Sequence, residues 1–150
     1  MNDDELLAGL RALWEAVDPV PAGLADDVLL VLAAEQADDV ELLALLAEDD
    51  RLAGVRGPDG PGTRMFAAAG VEVLIRVAVT GDDRRRIDGW VAPAARGNAR
   101  AVVGSRIRTA AVTADGRFEL PDLPAGAAVL DLTVRGAAGV RRLRTAAFAI

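Results

Sequence analysis

The chain contains no cysteine, histidine, tyrosine or lysine, so all 17 of its basic residues are arginine. Without cysteine there is no disulfide, thiol nucleophile or thiolate metal site. Without histidine, a Ser-His-Asp triad, a histidine-ligated zinc and a histidine proton shuttle are excluded. Because these absences remove the commonest catalytic and metal-binding chemistries, we expect no enzymatic activity, no metal and no cofactor.

Aromatic residues make up only 3% of the 150 residues, whereas apolar residues make up 52%. The core must therefore be built from valine, leucine, alanine and isoleucine, in one domain or a small domain with an appendage. No apolar stretch approaches the roughly 20 residues that span a bilayer. The N-terminus, MNDDE, is acidic where a signal peptide requires positive charge. These features predict a cytoplasmic protein that does not bind membranes.

Charge is divided unevenly along the chain. Residues 1–50 hold 14 acidic residues and one arginine, a net charge of −13, whereas residues 51–150 hold 16 arginines and nine acids, a net charge of +7. Such asymmetry suggests two functional parts. Two interpretations remain open: the halves attract each other within one fold, or the acidic half meets an external basic partner.

Helical patterns dominate residues 1–50, the predicted acidic helical segment. Asp3 or Asp4 is a plausible N-cap, and apolar residues then recur at helical spacing until Asp18-Pro19 ends the helix. A second helix is predicted from near Leu24. The apolar stretch VELLALLAE, residues 40–48, is predicted either as a third helix or as the end of one long helix. Residues 51–62, rich in glycine and proline, are predicted as a linker.

Residues 63–150 carry strand patterns. Val71, Val73, Ile75, Val77 and Val79 alternate with less apolar residues, and further short apolar runs follow at close spacing. Many short strands with close turns predict an antiparallel sandwich. The dipeptide Asp115-Gly116 predicts a two-residue hairpin in which both central residues have positive φ. Phe118 and Leu120 would then face the core together.

Charged clusters are the remaining candidates for chemistry. Adjacent aspartate pairs lack the spacing of a calcium loop, and GPDGPG carries prolines where a phosphate cradle needs N–H groups. The arginine clusters at 84–86 and 141–144 come without interleaved aromatic residues in a chain of pI near 4.6. We therefore expect no nucleic acid partner and favour docking of the acidic helices on these arginines.

The apolar content of the acidic segment exceeds what two or three short helices can enclose by themselves. Some of this surface must meet the sandwich, a second copy or another protein. Five residues of the first helix are the candidate anchors for a protein partner: Leu6, Leu10, Leu13, Trp14 and Val17. A homo-oligomer remains open.

The stretch from Arg86 to Val134 resembles the carboxypeptidase-regulatory-like domain, a transthyretin-like β-sandwich. The resemblance rests on Gly89-Trp90-Val91, on the hairpin Asp115-Gly116-Arg117-Phe118 and on the Leu-Pro-Ala-Gly turn that ends at Gly126. It implies an antiparallel sandwich of about seven strands over residues 63–150 and a non-catalytic scaffold. Together with the helical pattern of residues 1–50, this predicts an α+β chain. Hydroxyisourate hydrolases of transthyretin fold depend on histidine and lysine, which this chain lacks, so that activity does not transfer.

The whole chain resembles a type of small actinobacterial regulator whose genes lie near those of sigma factors and, in some cases, of CHAT proteases. The residues that carry this resemblance are LLAGLRALWEAVDPVPAGLADDVLLVLA, followed by the sandwich. The resemblance implies an anti-sigma-like protein whose acidic helices bind a sigma factor. The zinc-binding anti-sigma motif of one histidine and two cysteines is absent. The alternative is a structural or assembly subunit of an effector complex that uses the sandwich surface.

Overall fold

The computed structural model describes residues 2–35, 39–49 and 62–150, and within them it contains two helices and ten strands. The helices are α1 (Asp3–Val17) and α2 (Leu24–Glu35). The strands are β1 (Val40–Asp49), β2 (Thr63–Ala68), β3 (Val71–Gly81), β4 (Arg84–Ala92), β5 (Gly97–Val103), β6 (Arg106–Val112), β7 (Arg117–Pro124), β8 (Ala127–Gly136), β9 (Gly139–Thr145) and β10 (Phe148–Ala149). The predicted linker lies, apart from Gly62, outside the described residues.

Helix α1 begins with a complete capping box. The Asn2 side chain accepts a hydrogen bond from the Glu5 N–H at 2.9 Å, and the Glu5 carboxylate accepts one from the Asn2 N–H. The cap is therefore Asn2, one or two residues before the predicted Asp3 or Asp4. The helix ends before Asp18-Pro19, as predicted, and Asp18 donates its N–H to the Trp14 carbonyl.

Residues 40–48, predicted as helix, form most of strand β1 instead. Leucine, alanine and glutamate are good helix formers, so local preference favours a helix here. The tertiary context overrides that preference, because β1 lies between two strand edges. It pairs in parallel with β9 through Val40–Leu43 and antiparallel with β2 through Ala44–Asp49.

Strand β1 joins the two sheets. One sheet has the order β6-β5-β8-β9, with the short β10 on β8, and the other has the order β2-β3-β4-β7. A register shift between Leu45 and Ala47 marks an irregularity where β1 pairs with β2. The result is an α+β architecture with a large, mostly antiparallel sheet of nearly barrel-like shape.

The predicted alternation in residues 63–150 is largely confirmed. Val71, Val73, Ile75 and Val77 of β3 face the interior, although Val79 at the end of the strand is exposed. The sequence predicts about seven strands, and the described residues form ten, partly because β1 and the two-residue β10 were not predicted. Aliphatic side chains dominate the core, and Phe66, Phe118 and Phe148 are its large aromatic members.

The hairpin between β6 and β7 differs from the predicted two-residue turn. Gly116 has φ of +77°, but Asp115 does not have positive φ. The Gly116 N–H donates to the Thr113 carbonyl at 2.9 Å, and the Thr113 N–H donates to the Arg117 carbonyl at 2.8 Å. This is a three-residue loop closed by a left-handed glycine. Phe118 beyond it is buried, as predicted.

Candidate partner-binding surface

The five predicted anchor residues lie together on one face of α1. With 3.6 residues per turn, the side chains of Leu6, Leu10, Leu13, Trp14 and Val17, together with that of Leu7, fall within about 120° of the helix circumference. We call these six residues the α1 stripe. Helix α1 therefore brings the predicted residues together as one continuous apolar surface.

The α1 stripe is uncovered. No residue of α1 is buried, and Trp14 and Val17 are 70% and 76% exposed. Helix α2, by contrast, packs on β5, β8 and β9 through the buried Leu30. Of the three alternatives for this apolar surface, contact with the sheet is therefore observed for α2 and for Leu43 of β1, but not for α1.

Acidic side chains lie near both ends of α1. Asp3, Asp4 and Glu5 occupy the first turn, where they interact favourably with the helix dipole, and Glu15 lies near the other end. Arg11 is the single basic residue of the helix. A partner that covers the stripe therefore meets a negative rim.

A second group of exposed apolar side chains lies on α2 and β1. Its members are Leu24, Val28, Leu29 and Leu32 of α2 and Val40, Leu42, Leu45 and Leu46 of β1. Because α2 and β1 also carry Asp26, Asp27, Glu41 and Glu48, the acidic segment combines apolar and negative surface throughout.

The arginine clusters pair with strand carboxylates and not, within the described residues, with the acidic helices. Arg84 and Arg108 both bond to Asp122, and Arg86 bonds to Asp88 at 3.1 Å. The hydrogen bond from Arg108 and the charges of both arginines hold the pKa of Asp122 below its ordinary value. Among the described residues, α1 and α2 form no ion pair with these arginines, and the predicted docking occurs only through Glu41 of β1, in a stretch that was predicted as helix.

The acidic and basic parts of the sequence do meet through β1. The Arg141 Nε donates to Glu41 at 2.8 Å, and the Arg64 Nε donates to Glu48 at 2.8 Å. The hydrogen bond and charge of Arg141 lower the pKa of Glu41 against a small opposing effect of burial. The acidic and basic halves of the sequence thus attract each other through strand β1. The acidic residues of α1 have no arginine partner among the described residues.

Clefts also occur elsewhere among the described residues, and two of them are of similar size. One, of about 460 Å³, separates the start of α2 from the sheet and is lined by residues that include Asp26, Arg96 and Arg135. The other, of about 480 Å³, lies beside Trp90, and the Arg117 guanidinium sits 5.9 Å from the Trp90 ring centroid. No group of three metal-ligating side chains occurs in the described residues.

Sequence reasoning missed two features of the sheet. Arg85 alternates with Ile87, Gly89 and Val91 on the inward face of β4, is only 5% exposed, and has no hydrogen-bond partner for its Nε. Its position two residues before Ile87 was a signal that it faces inward. Trp90, on the opposite face of β4, forms the cleft wall with Arg117, and no sequence pattern indicated that pairing.

Comparisons with known proteins give no family for this chain. No family model matches it, no curated protein matches it, and no solved structure matches its fold. None of the helices in the described residues is long and apolar enough to cross a membrane.

Proposed function

We propose that this protein is a non-enzymatic regulatory interaction module in which α1 binds a partner protein and the sheet serves as its scaffold. The observation that carries the proposal is the uncovered α1 stripe on a helix that is well capped but packs on nothing in the described structure. Exposed contiguous apolar surface of this kind typically marks an interaction site.

The spacing of the stripe suits helix-in-groove recognition. Leu6, Leu10, Leu13 and Val17 are separated by three or four residues, as anchors of an amphipathic helix in a groove are. The capping box between Asn2 and Glu5 favours the helix before binding. Since an isolated helix of this length is marginal in water, this preorganisation reduces the ordering penalty of association.

The negative charge of α1 favours a partner with basic residues. A basic rim around an apolar groove would complement the acids that flank the stripe. A membrane surface is a poorer fit, because interfacial helices carry lysine and arginine on the polar face. A second copy is also a poorer fit, because its own acidic segment would repel α1.

A sigma factor is the first candidate partner, on the strength of the sequence resemblance to sigma-factor-associated regulators. The carboxypeptidase-regulatory-like, transthyretin-like type of sandwich is likewise part of this proposal, and the large antiparallel sheet is compatible with it. In this role α1 would cover a basic, apolar surface of the sigma factor without using zinc.

Co-purification with the sigma factor encoded nearest in the genome tests the proposal. The variant Leu10→Asp/Leu13→Asp should reduce binding roughly 30- to 1,000-fold, because two anchors each contribute on the order of 1–2 kcal/mol. The matched control Ala8→Asp/Ala12→Asp adds the same charge on the opposite face and should retain most of the binding. Equal binding by both variants would exclude α1 as the site.

The second candidate is an assembly subunit that makes its contacts through the sheet. The cleft beside Trp90 supports it, because a half-exposed tryptophan among arginines is a common kind of interface anchor. Under this alternative, Trp90→Ala would abolish partner binding while the α1 double variant would keep it.

A further inference from the structure

A row of apolar side chains crosses the outward face of the sheet. Cross-strand pairing places Met65 of β2 opposite Leu74 of β3, and Leu74 opposite Trp90 of β4. Trp90 in turn lies opposite Arg117 of β7. The three apolar side chains of this row are partly exposed, whereas the three phenylalanines of the chain are buried. Trp90 is therefore the aromatic side chain that the sheet presents to solvent.

Positive charge lies beside this row. Arg76 is directly opposite Asp88, but Asp88 bonds instead to Arg86, at 3.1 Å. Within the part of the chain that the structure describes, neither Arg76 nor Arg117 forms an ion pair. The cleft beside Trp90 is lined by three arginines and two carboxylates, so its net charge is positive. We call the surface formed by Met65, Leu74, Trp90, Arg76 and Arg117 the Trp90 face.

Helix α1 is attached close to this face. Gly23, immediately before α2, lines one cleft together with Ala111 and Thr113, and the same two residues line the cleft beside Trp90. Residues 18–23 join α1 to α2, and six residues can span about 20 Å. Gly23 has φ of +90°, a backbone angle that glycine adopts without strain. The connector is therefore long enough for α1 to reach the Trp90 face of its own chain.

We propose that α1 exchanges between the open position of this structure and a closed position in which the α1 stripe covers the Trp90 face of the same chain. The end of the stripe nearest the connector, with Trp14 and Val17, meets the apolar row. Glu15 and Asp18, at the same end of α1, then lie near the arginines of the face. Closure thus covers two exposed apolar surfaces and brings opposite charges together.

The closed position is an autoinhibitory contact, and this regulatory role rests on the proposed function of α1. A partner that binds the stripe selects the open position, so closure weakens the apparent affinity by the fraction of chains that are closed. A short tether gives the two surfaces an effective concentration on the order of millimolar. Even a weak contact between them therefore suffices to populate the closed position.

Acrylamide quenching of Trp90 fluorescence tests closure in the full chain without a partner. Trp14→Phe keeps an apolar anchor in the stripe and leaves Trp90 as the single tryptophan. In this background, Leu10→Asp/Leu13→Asp should roughly double the quenching constant, as expected when open and closed chains are similarly populated. Ala8→Asp/Ala12→Asp adds the same charge on the opposite face of α1 and should leave the constant unchanged. Equal quenching constants in the two double variants would overturn the proposal.

Protein concentration distinguishes closure within one chain from contact between copies. The quenching constant should be the same from about 1 to 100 µM, because a tethered contact does not depend on concentration. A quenching constant that falls as the concentration rises would assign the contact to a second copy and overturn closure within the chain.

Binding of the sigma factor used in the co-purification tests the regulatory role. Trp90→Ala should strengthen binding by roughly twofold, because it weakens the competing closed position. Ile107→Ala, at an exposed apolar residue of β6 outside the Trp90 face, is the control and should not change binding. Unchanged binding in Trp90→Ala would overturn autoinhibition, and so would loss of binding, which the assembly alternative predicts. A chain that binds no sigma factor would overturn the proposed function, whereas closure is decided by the quenching measurement.

Discussion

One close contact explains why residue 89 is a glycine. A Cβ built at this position would lie 2.0 Å from Cζ of Phe118, its cross-strand neighbour on β7. The phenylalanine ring thus occupies the space above the glycine on the inward face of β4. This contact links two of the motifs that carry the sequence resemblance, Gly-Trp-Val and Asp-Gly-Arg-Phe, through a single packing requirement.

Replacing Gly89 tests this contact. Gly89→Ala should destabilise the fold by about 1–3 kcal/mol, because the ring must move within a filled core. Adding Phe118→Leu should recover part of the loss, so the two effects will not be additive. Urea unfolding measures both. Gly9→Ala on α1 is the control: nothing lies within 4 Å of its Cβ, and unfolding of the sheet should not change.

The ion pair between Glu41 and Arg141 makes the free energy of unfolding depend on pH. Because the pKa of Glu41 is lowered in the folded state from its ordinary value of 4.5, its contribution is present above that value. The contribution is lost as the pH falls through the lowered pKa. Since both side chains are partly exposed to solvent, the ion pair should contribute no more than roughly 1 kcal/mol to the free energy of unfolding.

Glu41→Gln should therefore destabilise the protein slightly at pH 7, and the difference from the unmodified chain should shrink as the pH falls below 4.5 and vanish below the lowered pKa of Glu41. Urea unfolding between these pH values follows the difference. Glu72→Gln on β3 alters an exposed carboxylate with no ion pair among the described residues and should show no comparable pH-dependent difference.

At the scale of elements, α1 and β1 of the acidic segment differ in how far their side chains are buried. Both are rich in leucine, yet α1 is entirely exposed whereas β1 inserts Leu43 into the core at 3% exposure. The difference arises because β1 pairs with two neighbouring strands, β9 and β2, whereas α1 pairs with no strand. Burial of Leu43 ties the acidic segment to the sheet.

Two adjacent leucines of β1 test this assignment. Leu43→Ala should cost about 2–5 kcal/mol, as expected for a buried leucine. Leu42→Ala should have little effect on unfolding, because Leu42 is 74% exposed on the other face of the strand. Thermal unfolding followed by circular dichroism compares the two. Equal effects would mean that β1 does not hold the position described.

For the molecule as a whole, the acidic segment divides into α1, which buries no residue, and α2 and β1, which contact the sheet. Deleting residues 1–21 removes α1 and its connector, so the melting temperature should stay within a few degrees of the full chain. Deleting residues 1–49 also removes β1, which joins the two sheets, and should abolish the cooperative transition. Calorimetry distinguishes these outcomes. A cooperative transition at the same temperature in the longer deletion would make β1 dispensable.

The same comparison separates function from folding. A binding experiment that removes residues 1–50 together cannot distinguish loss of α1 from loss of the sheet. The shorter deletion, which keeps Leu30 and Leu43 in place, isolates α1.

The sequence alone determined the features that depend on local patterns: the position of α1, the burial of Phe118, and the alternation of β3. It also determined the α1 stripe, because helical periodicity fixes which side chains share a face. Its missing histidines and cysteines exclude the chemistries that need them, whatever the fold.

Only the tertiary structure decided whether residues 40–48 form a helix or a strand. A leucine-rich segment is compatible with both, and the outcome depends on whether neighbouring strands are available for pairing. Long-range pairing likewise decided which carboxylates meet the arginines, as in Glu41 with Arg141, 100 residues apart. Whether a helix is covered likewise depends on the elements that lie beside it, so the exposure of α1 does not follow from local pattern.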